Sequence, residues 1–538
     1  MKFKMNTEED LNKLSKEELV KLNLEMQEQM VSTWERLMAN NNKKFSKSSE
    51  QIHPDQLSLF DEAEATVELA TEEELAEVEA LSKEKNKKKT KTSVKATIDL
   101  SKLPEKVIHH NLKDKTCDIC GSTMSELKPT IVKELIYKPA KYTVIKHVVH
   151  NYVCQKCSLD SDSIVTKSAD SGVVRILNKS VASSELLAQI IYNKYALHLP
   201  LYRQESDFKQ NGFTISRQVI SNWVIKTSEQ YFKPIFDAMW ADARNLKYKH
   251  MDETTVVVIE DKTQEGRSKS YEWVLVSGRT EQKQMALYFY NNSREHGFVD
   301  YILGDNATGY VMSDGYEAYR KGKFINVGCL AHVRRMFYEA YTVDSDFKKF
   351  EKAGTDDERL EILNNNPSLN ILVKALSYIG RLFNLDAQQE NRSDMKIEAK
   401  KVMDEFFAFL GEVNSKFSSK GLAGKAINYA LNAEEFIRNY LLDENLEISN
   451  NRAERAIKPF VIGRKNCLFS NTKRGAKDSS ILYSIIESAK MNNLNVLEYL
   501  NYCLKYLAEN GINDDNIQTV LPYSEKLPKE LYSNKNPN

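Results

Sequence analysis

The chain has 538 residues, too long for one ordinary domain and long enough for three or more folded units. Basic and acidic residues both number 76, so the net charge is zero and excludes no class of partner, while 28% charged residues suit a soluble protein. No apolar run approaches the roughly 20 residues of a membrane helix, and the start MKFKMNTEEDLNKL has no apolar signal core, so a cytoplasmic protein with no membrane partner is expected.

In chain order, residues 1–45 read as a polar helix in which Leu19, Met26, Met30 and Leu37 recur at spacings of seven, four and seven. Asn23 and Thr33 fill the remaining seam positions, which makes a short, weak coiled coil or a solvated helix that folds on a partner. Residues 46–100 form a linker, acidic and then basic. Residues 61–79 hold nine acids and no base, and residues 83–95 hold seven lysines and one acid. So few apolar groups cannot offset chain entropy.

Four of the seven cysteines form two CxxC pairs, Cys117–Cys120 and Cys154–Cys157, within a segment 101–166. Each pair turns two sulfurs toward one point, and four sulfurs suit a tetrahedral structural Zn2+ with no open position. The intervening residues alternate like strands of a hairpin. The other reading, two redox CxxC motifs, lacks a thioredoxin-like pattern around either pair.

Residues 180–245 read as helices. Leu186, Leu187, Ile190 and Ile191 form one stripe, and Val219, Ile220, Trp223 and Val224 form another. LYRQESDFKQ between them stops at Asn211-Gly212, and Ser216 is placed to cap the next helix. The arrangement is helix-turn-helix-like, with Arg217 among the residues available to DNA, although ordinary helical bundles share this pattern.

From residue 246 strands take over: KYKHM, TTVVVIE, YEWVLVSG and MALYFY, then the helix SREHGFVDYIL, the strand GYVMS and the strand FINVGCL leading into HVRRMFYEAY. Residues 341–440 are helical, as are 450–465 and 478–508, and the tail from about 513 reads as loose. Three acids fit a metal-dependent phosphoryl-transfer site: Asp252 at the end of a short strand, Asp314 after YVMS with Gly315 permitting a sharp turn, and Glu454 on a helix. Singly, such residues are turn, cap or solvated groups. Together with the element order (three strands, a helix, a strand ending in Asp, another strand, a later helix with Glu) they outline a ribonuclease-H-like core.

At these residues the chain resembles the transposases of the insertion sequence sixty-six family, bacterial enzymes of the DDE type. The resemblance runs over roughly residues 8–535 and is carried by QLSLFDEAE, YKPAKYTVIKHVVHNYVCQKC, YALHLPLYRQE, MDET, SDGYEAY, GCLAHVRRMF, NNRAERAIKPFVIGRKNCLF and LYSIIESAKMNNLNVLEYL. It implies that Asp252, Asp314 and Glu454 are the catalytic residues and ligands of two Mg2+ or Mn2+ ions. It also implies that the 140 residues between Asp314 and Glu454 hold a helical insertion. His332, Arg334 and Arg335 of AHVRR match a family motif and, with Arg455, Lys458, Arg464 and Lys465, are candidates for contact with DNA phosphates, where arginine binds in a two-pronged fashion. Cys329 and His332 are not expected to bind zinc, because no further soft ligand is evident in the nearby sequence.

The expected chain is thus a multidomain α/β protein. A coiled-coil-like helix (1–45), the linker (46–100), a zinc ribbon (101–166) and the helix-turn-helix-like module (180–245) precede a ribonuclease-H-like core. That core is a mixed sheet with helices, in parts 246–340 and 441–480 around the insertion 341–440, and a C-terminal helical segment and tail close the chain (481–538). The implied reaction is cleavage of a phosphodiester at the end of a mobile element, followed by attack of the freed 3′-hydroxyl on target DNA. Partners would be the element's terminal repeats, target DNA, further copies of the chain and accessory proteins of the same element, at the bacterial nucleoid. Alternatives are a non-enzymatic, transposon-derived DNA-binding regulator and a nuclease of the same fold without strand transfer. A serine or tyrosine recombinase has no supporting motif.

Overall fold

The computed structural model describes Met30, residues 142–153, 166–168, 170 and 172–533, apart from 262–269, 305–306, 316–317, 320–321 and 389–390. Apart from Met30, the coiled-coil-like helix lies outside the described residues, as do the linker and the four CxxC cysteines. Two compact units are present, one within Glu77–Gly172 and one containing Val173 onward. In the first, β1 (Asn151–Val153) pairs antiparallel with β2 (Thr166–Ser168).

The second unit opens with α1 (Ser184–Tyr195), α2 (Leu201–Gln210), α3 (Arg217–Thr227) and α4 (Lys233–Arg244). Local chemistry sets their ends. Ser183 and Ser216 accept hydrogen bonds from the backbone N–H groups of Leu186 and Val219, satisfying donors that a first helical turn leaves bare. Helix α2 stops at Asn211, and Gly212 takes a φ of +86°.

A five-stranded mixed sheet follows, made of β3 (Tyr248–Val256), β4 (Ser270–Ser277), β5 (Ala286–Asn291), then α5 (His296–Leu303), β6 (Tyr310–Ser313) and β7 (Ile325–Gly328). The spatial order is β5-β4-β3-β6-β7; β3, β4 and β5 run antiparallel, while β6 and β7 run parallel to β3. After the sheet come α6 (Leu330–Val343), α7 (Phe347–Lys352), α8 (Asp356–Asn365), α9 (Pro367–Asp386), α10 (Arg392–Val413), α11 (Leu422–Arg438), α12 (Asn451–Cys467), α13 (Lys473–Met491), α14 (Val496–Asn510) and α15 (Asp514–Val520).

Side chains alternate across a strand, so the central strands feed two cores. Met251 and Val311 join one with Ile191, Val224, Phe236, Ile485 and Leu504. Tyr248, Met312 and Val327 join the other with Phe337, Leu372, Phe406 and Ile427, so the helices between the two parts of the sheet region carry a core of their own.

Both sheet edges are covered. On β5, the N–H of Tyr288 donates to Ser484 Oγ (2.8 Å) and that of Ala286 to Ser488 Oγ (3.0 Å), from serines four residues apart on α13. Helix α13 therefore occupies hydrogen-bonding positions that an edge strand otherwise offers to another chain. On β7, Asn439 Nδ2 donates to the carbonyl of Asn326 at 2.8 Å.

The structure corrects three readings of the sequence. KYKHM and TTV are one strand, so Asp252 is inside β3 rather than at the end of a short strand, because β4 pairs along β3 from Lys249 to Val256. The expected helix 478–508 is two, α13 and α14, parted where Asn493 takes a φ of +57°. The tail past 513 is packed rather than loose up to Ser533. Val520, Leu521, Leu527 and Leu531 are buried, and Tyr523 Oη donates to Asp242 Oδ2 at 2.7 Å.

Glu272 of β4 is 1% exposed, and burial raises its carboxyl to about 8. Its neutral form is favoured in the folded chain, so its contribution to stability is intact below the ordinary glutamate value of about 4.3 and is lost as pH rises toward 8. Glu272→Gln is expected to be more stable than the parent at pH 8.5, by on the order of a few kcal/mol, and so to melt higher, with the gap closing at pH 5. Thermal melts at the two pH values measure it, and an equal gap at both would remove this account.

Candidate active site

Asp252 lies in β3, and Asp314 directly follows the neighbouring parallel strand β6. The ladder between the two strands ends with His250 paired to Met312, and Asp252 and Asp314 each come two residues after that pair. β6 ends at Ser313, and Gly315, with a φ of +81°, turns the chain away immediately after Asp314. The residues of β3 from Asp252 to Thr254 consequently lose their neighbour on that side and are only partly covered and Thr255 is exposed, whereas Tyr248 to Met251 are buried.

Glu454 comes from the first turn of α12, and a buried asparagine sets its place. Asn450 Nδ2 donates to the carbonyl of Met251 (2.8 Å), its Oδ1 lies 3.2 Å from His250 Nδ1, and its N–H donates to Cys329 Sγ (3.1 Å). Its own carbonyl accepts from the N–H of Glu454 (3.1 Å). Thus one residue joins three segments: its side chain binds the strand of Asp252, its backbone N–H the start of α6 and its carbonyl the helix of Glu454. Beneath it, Glu447 Oε2 lies 3.0 Å from His250 Nε2 and 3.1 Å from Arg452 Nε. Burial alone would raise Glu447, but His250 and Arg452 outweigh it and hold the carboxyl far below the usual range.

Removal from water, and then the negative charges of Glu253, Glu454 and Asp314, push Asp252 well above the ordinary aspartate value. Asp314 and Glu454 therefore both lie within electrostatic reach of Asp252. Glu253 is a member of this group that sequence reasoning missed. Facing away from Asp252 by strand alternation, it is nearly inaccessible and holds Arg294 (Nε donates to Oε1 at 2.6 Å) and the Tyr319 hydroxyl. The adjacent acid in MDET was the available signal, and the Arg294 and Tyr319 partners are too distant in sequence to be read from it.

His332 and Arg335 flank Glu454, with His332 Nε2 3.9 Å from Oε1 and Arg335 Nη2 3.6 Å from Oε2. Arg334, on the same helix, stacks over Tyr338 with its guanidinium 5.8 Å from the ring centre. Arg455 and Lys465 are exposed on α12, and Lys458 is half-buried. Arg464 is half-buried as well and reaches Thr254 Oγ1 (3.1 Å), Thr255 Oγ1 (3.3 Å) and the Thr255 carbonyl, so it ties α12 to β3. Arg217 is exposed at the first turn of α3, on the helical module rather than the sheet.

Asn450→Ala would leave the Met251 carbonyl and a nitrogen of His250 buried and without that partner, at a cost of roughly 2–4 kcal/mol. A denaturant or thermal midpoint reads this, and an unchanged midpoint would show that Asn450 does not hold α12 in place.

The model of the family described as Transposase IS66 family matches residues 179–478, more than half of the chain. A second model, the zinc-finger binding domain of transposase IS66, matches residues 114–158, which include the four CxxC cysteines and bring structural zinc and DNA binding with them. Two relatives from Sinorhizobium fredii (strain NBRC 101917 / NGR234), the uncharacterized proteins y4jD and y4hP, are each 24% identical to it. The first match covers 77% of this chain and 79% of the relative, the second 76% and 73%. No solved structure matches the chain. Among the described residues no helix is long and apolar enough to cross a membrane. With the family model spanning helical module, sheet and carboxylate cluster together, the chain belongs to the IS66 family of transposases, a family of DNA-processing enzymes.

Proposed function

We propose that the chain cuts DNA at the ends of an insertion sequence and joins the freed 3′-hydroxyl to target DNA, with Asp252, Asp314 and Glu454 as the catalytic carboxylates. The observation that carries this reading is the convergence of those acids: Asp252 and Asp314 each come two residues after the last pair of two neighbouring parallel strands, and Asp252 feels the charges of both Asp314 and Glu454. The strand order, an antiparallel trio flanked by two parallel strands, supports assigning the sheet to the ribonuclease-H-like class.

The acids suit a pair of hard divalent cations. Asp252, whose affinity for protons is raised by burial and by the acids around it, is in want of positive charge, and Glu454 Oε1 is buried without a hydrogen-bond partner among the described residues. Asp252, Asp314 and Glu454 would hold Mg2+ or Mn2+, whose chemistry on DNA is to offset charge on the attacking and leaving oxygens. The rest falls to the chain's own groups. Asn450 sets the position of Glu454 relative to Asp252, and Arg294 with Tyr319 keeps Glu253 fixed behind the site. Arg335, Arg334 and His332 on one side, with Arg455, Lys458 and Lys465 on the other, line up cationic or polar groups for the phosphates of the strand being cut. Arg464 braces α12 while adding to this field, and Arg217 reaches DNA from the helix-turn-helix-like module. The CxxC ribbon carries structural Zn2+, and the chain works as a multimer that bridges two DNA ends with accessory proteins of its element, in the cytoplasm at the nucleoid.

A strand-transfer assay with purified protein, DNA carrying the parent element's ends, the accessory proteins and Mg2+ or Mn2+ tests this. Joined products are expected from the wild type and a loss of at least about 1000-fold from Asp314→Asn, with Asp252→Asn and Glu454→Gln behaving alike. Equal joining by Asp314→Asn would remove that residue from the chemistry. End binding without cutting, in every combination of cation and helper, would favour a regulatory DNA-binding protein, and cutting without joining would favour a nuclease.

A further inference from the structure

Cys329 and His332 sit at the start of α6, Cys329 as its capping residue and His332 three positions on, so one turn presents both to the same side. Against that turn lies the first turn of α12. Ligand atoms of Cys329, His332 and Glu454 all lie within 4.8 Å of one another. Sulfur, imidazole and carboxylate at a single point form a ligand set unlike the all-oxygen set of Asp252, Asp314 and Glu454.

We propose that Cys329, His332 and Glu454 form a second metal site in this unit, for a thiophilic divalent ion of the zinc class. A tetrahedral zinc places its sulfur, nitrogen and oxygen ligands about 3.3–3.7 Å apart, so side-chain shifts of about 1 Å close the site. Burial, and then the charge of Glu454, push the Cys329 thiol up to about 12, so the incoming ion has to displace the thiol proton. The N–H of Asn450 already points at Cys329 Sγ from 3.1 Å, and the positive end of α6 begins at this residue. Glu454 divides its oxygens to match, Oε2 toward Arg335 and Oε1 toward His332, the latter buried and lacking a hydrogen bond. Three protein ligands leave a fourth position open, the pattern of exchangeable ions rather than of a closed four-cysteine site. On the proposed catalytic role of Glu454, on which this consequence rests, a soft ion here draws Glu454 away from the two aspartates, so the two kinds of ion compete for one carboxylate.

Binding is measured on the full-length chain, freed of metal by a chelator and titrated with Co2+, whose bands report thiolate ligation. The CxxC ribbon contributes its own cobalt signal, so the readout is the difference between wild type and Cys329→Ser. Expected is the loss of one cobalt equivalent per chain together with the charge-transfer intensity of a single thiolate. His332→Ala, which keeps every cysteine, and Glu454→Gln should each weaken that equivalent by at least about tenfold. Variants are compared only after their thermal melts match the parent's. Identical cobalt stoichiometry and spectra in wild type and Cys329→Ser would overturn the site, and an unchanged Glu454→Gln would overturn its third ligand. The measurement uses neither DNA nor activity, so it succeeds or fails separately from the strand-transfer reading.

Discussion

A single buried amide holds the candidate site in register. Asn450 bonds to the backbone of Met251, one residue before Asp252, to the ring of His250, and to the sulfur of Cys329 at the root of α6. The side chain makes both bonds to β3 and the backbone N–H makes the one to Cys329, so three segments that enter the fold separately meet at this residue. A buried amide admits few geometries that satisfy its donors and acceptor, so the helix bearing Glu454 has little freedom to slide along β3. The His250–Glu447–Arg452 cluster below it reinforces the same junction with charge.

Above this junction the electrostatics are deliberately unbalanced. Asp252 is short of water and ringed by acids, while the cations nearby belong to other partners. Arg294 is paired with Glu253 and Arg335 with Glu454. A cluster organised for internal stability would pair each acid with a base, and the His250–Glu447–Arg452 group does so a few residues away. The contrast between a balanced cluster beneath and an acidic one above separates the part that holds the fold from the part available to chemistry.

The helices from α7 to α11 explain how so long an interruption between Asp314 and Glu454 is tolerated. They bury Leu372, Ile379, Phe406, Leu410 and Ile427 among themselves and against α6, and so supply their own hydrophobic stabilisation. The chain returns to the sheet through Asp443, whose carboxylate accepts from Tyr248 Oη at 2.8 Å and pairs with Lys247 Nζ at 2.8 Å. That return places α12 beside β3 whatever the length of the excursion. The C-terminal helices close the opposite side, where serines of α13 bind the edge of β5.

Local features were legible in the sequence, because their causes lie within a few residues. The stop of α2 at Asn211-Gly212 and the Ser216 cap follow from backbone preference and a nearby N–H. The strand-helix order follows from apolar periodicity, and the family from motifs such as MDET, SDGYEAY and NNRAERAI. Asp252, Asp314 and Glu454 were found by such reading, and their convergence was an expectation only. What tertiary structure decided is pairing across distance. β4 makes β3 one long strand with Asp252 inside it, Tyr319 and Arg294 turn Glu253 inward, and the packed residues after 513 gain their order from α4 and α14. Above all it brought Glu454 against Cys329 and His332, from an element far away in the sequence. Periodicity records which face of an element is apolar, but it holds no record of which distant element will cover that face, and the chemistry of this site arises where two such elements meet.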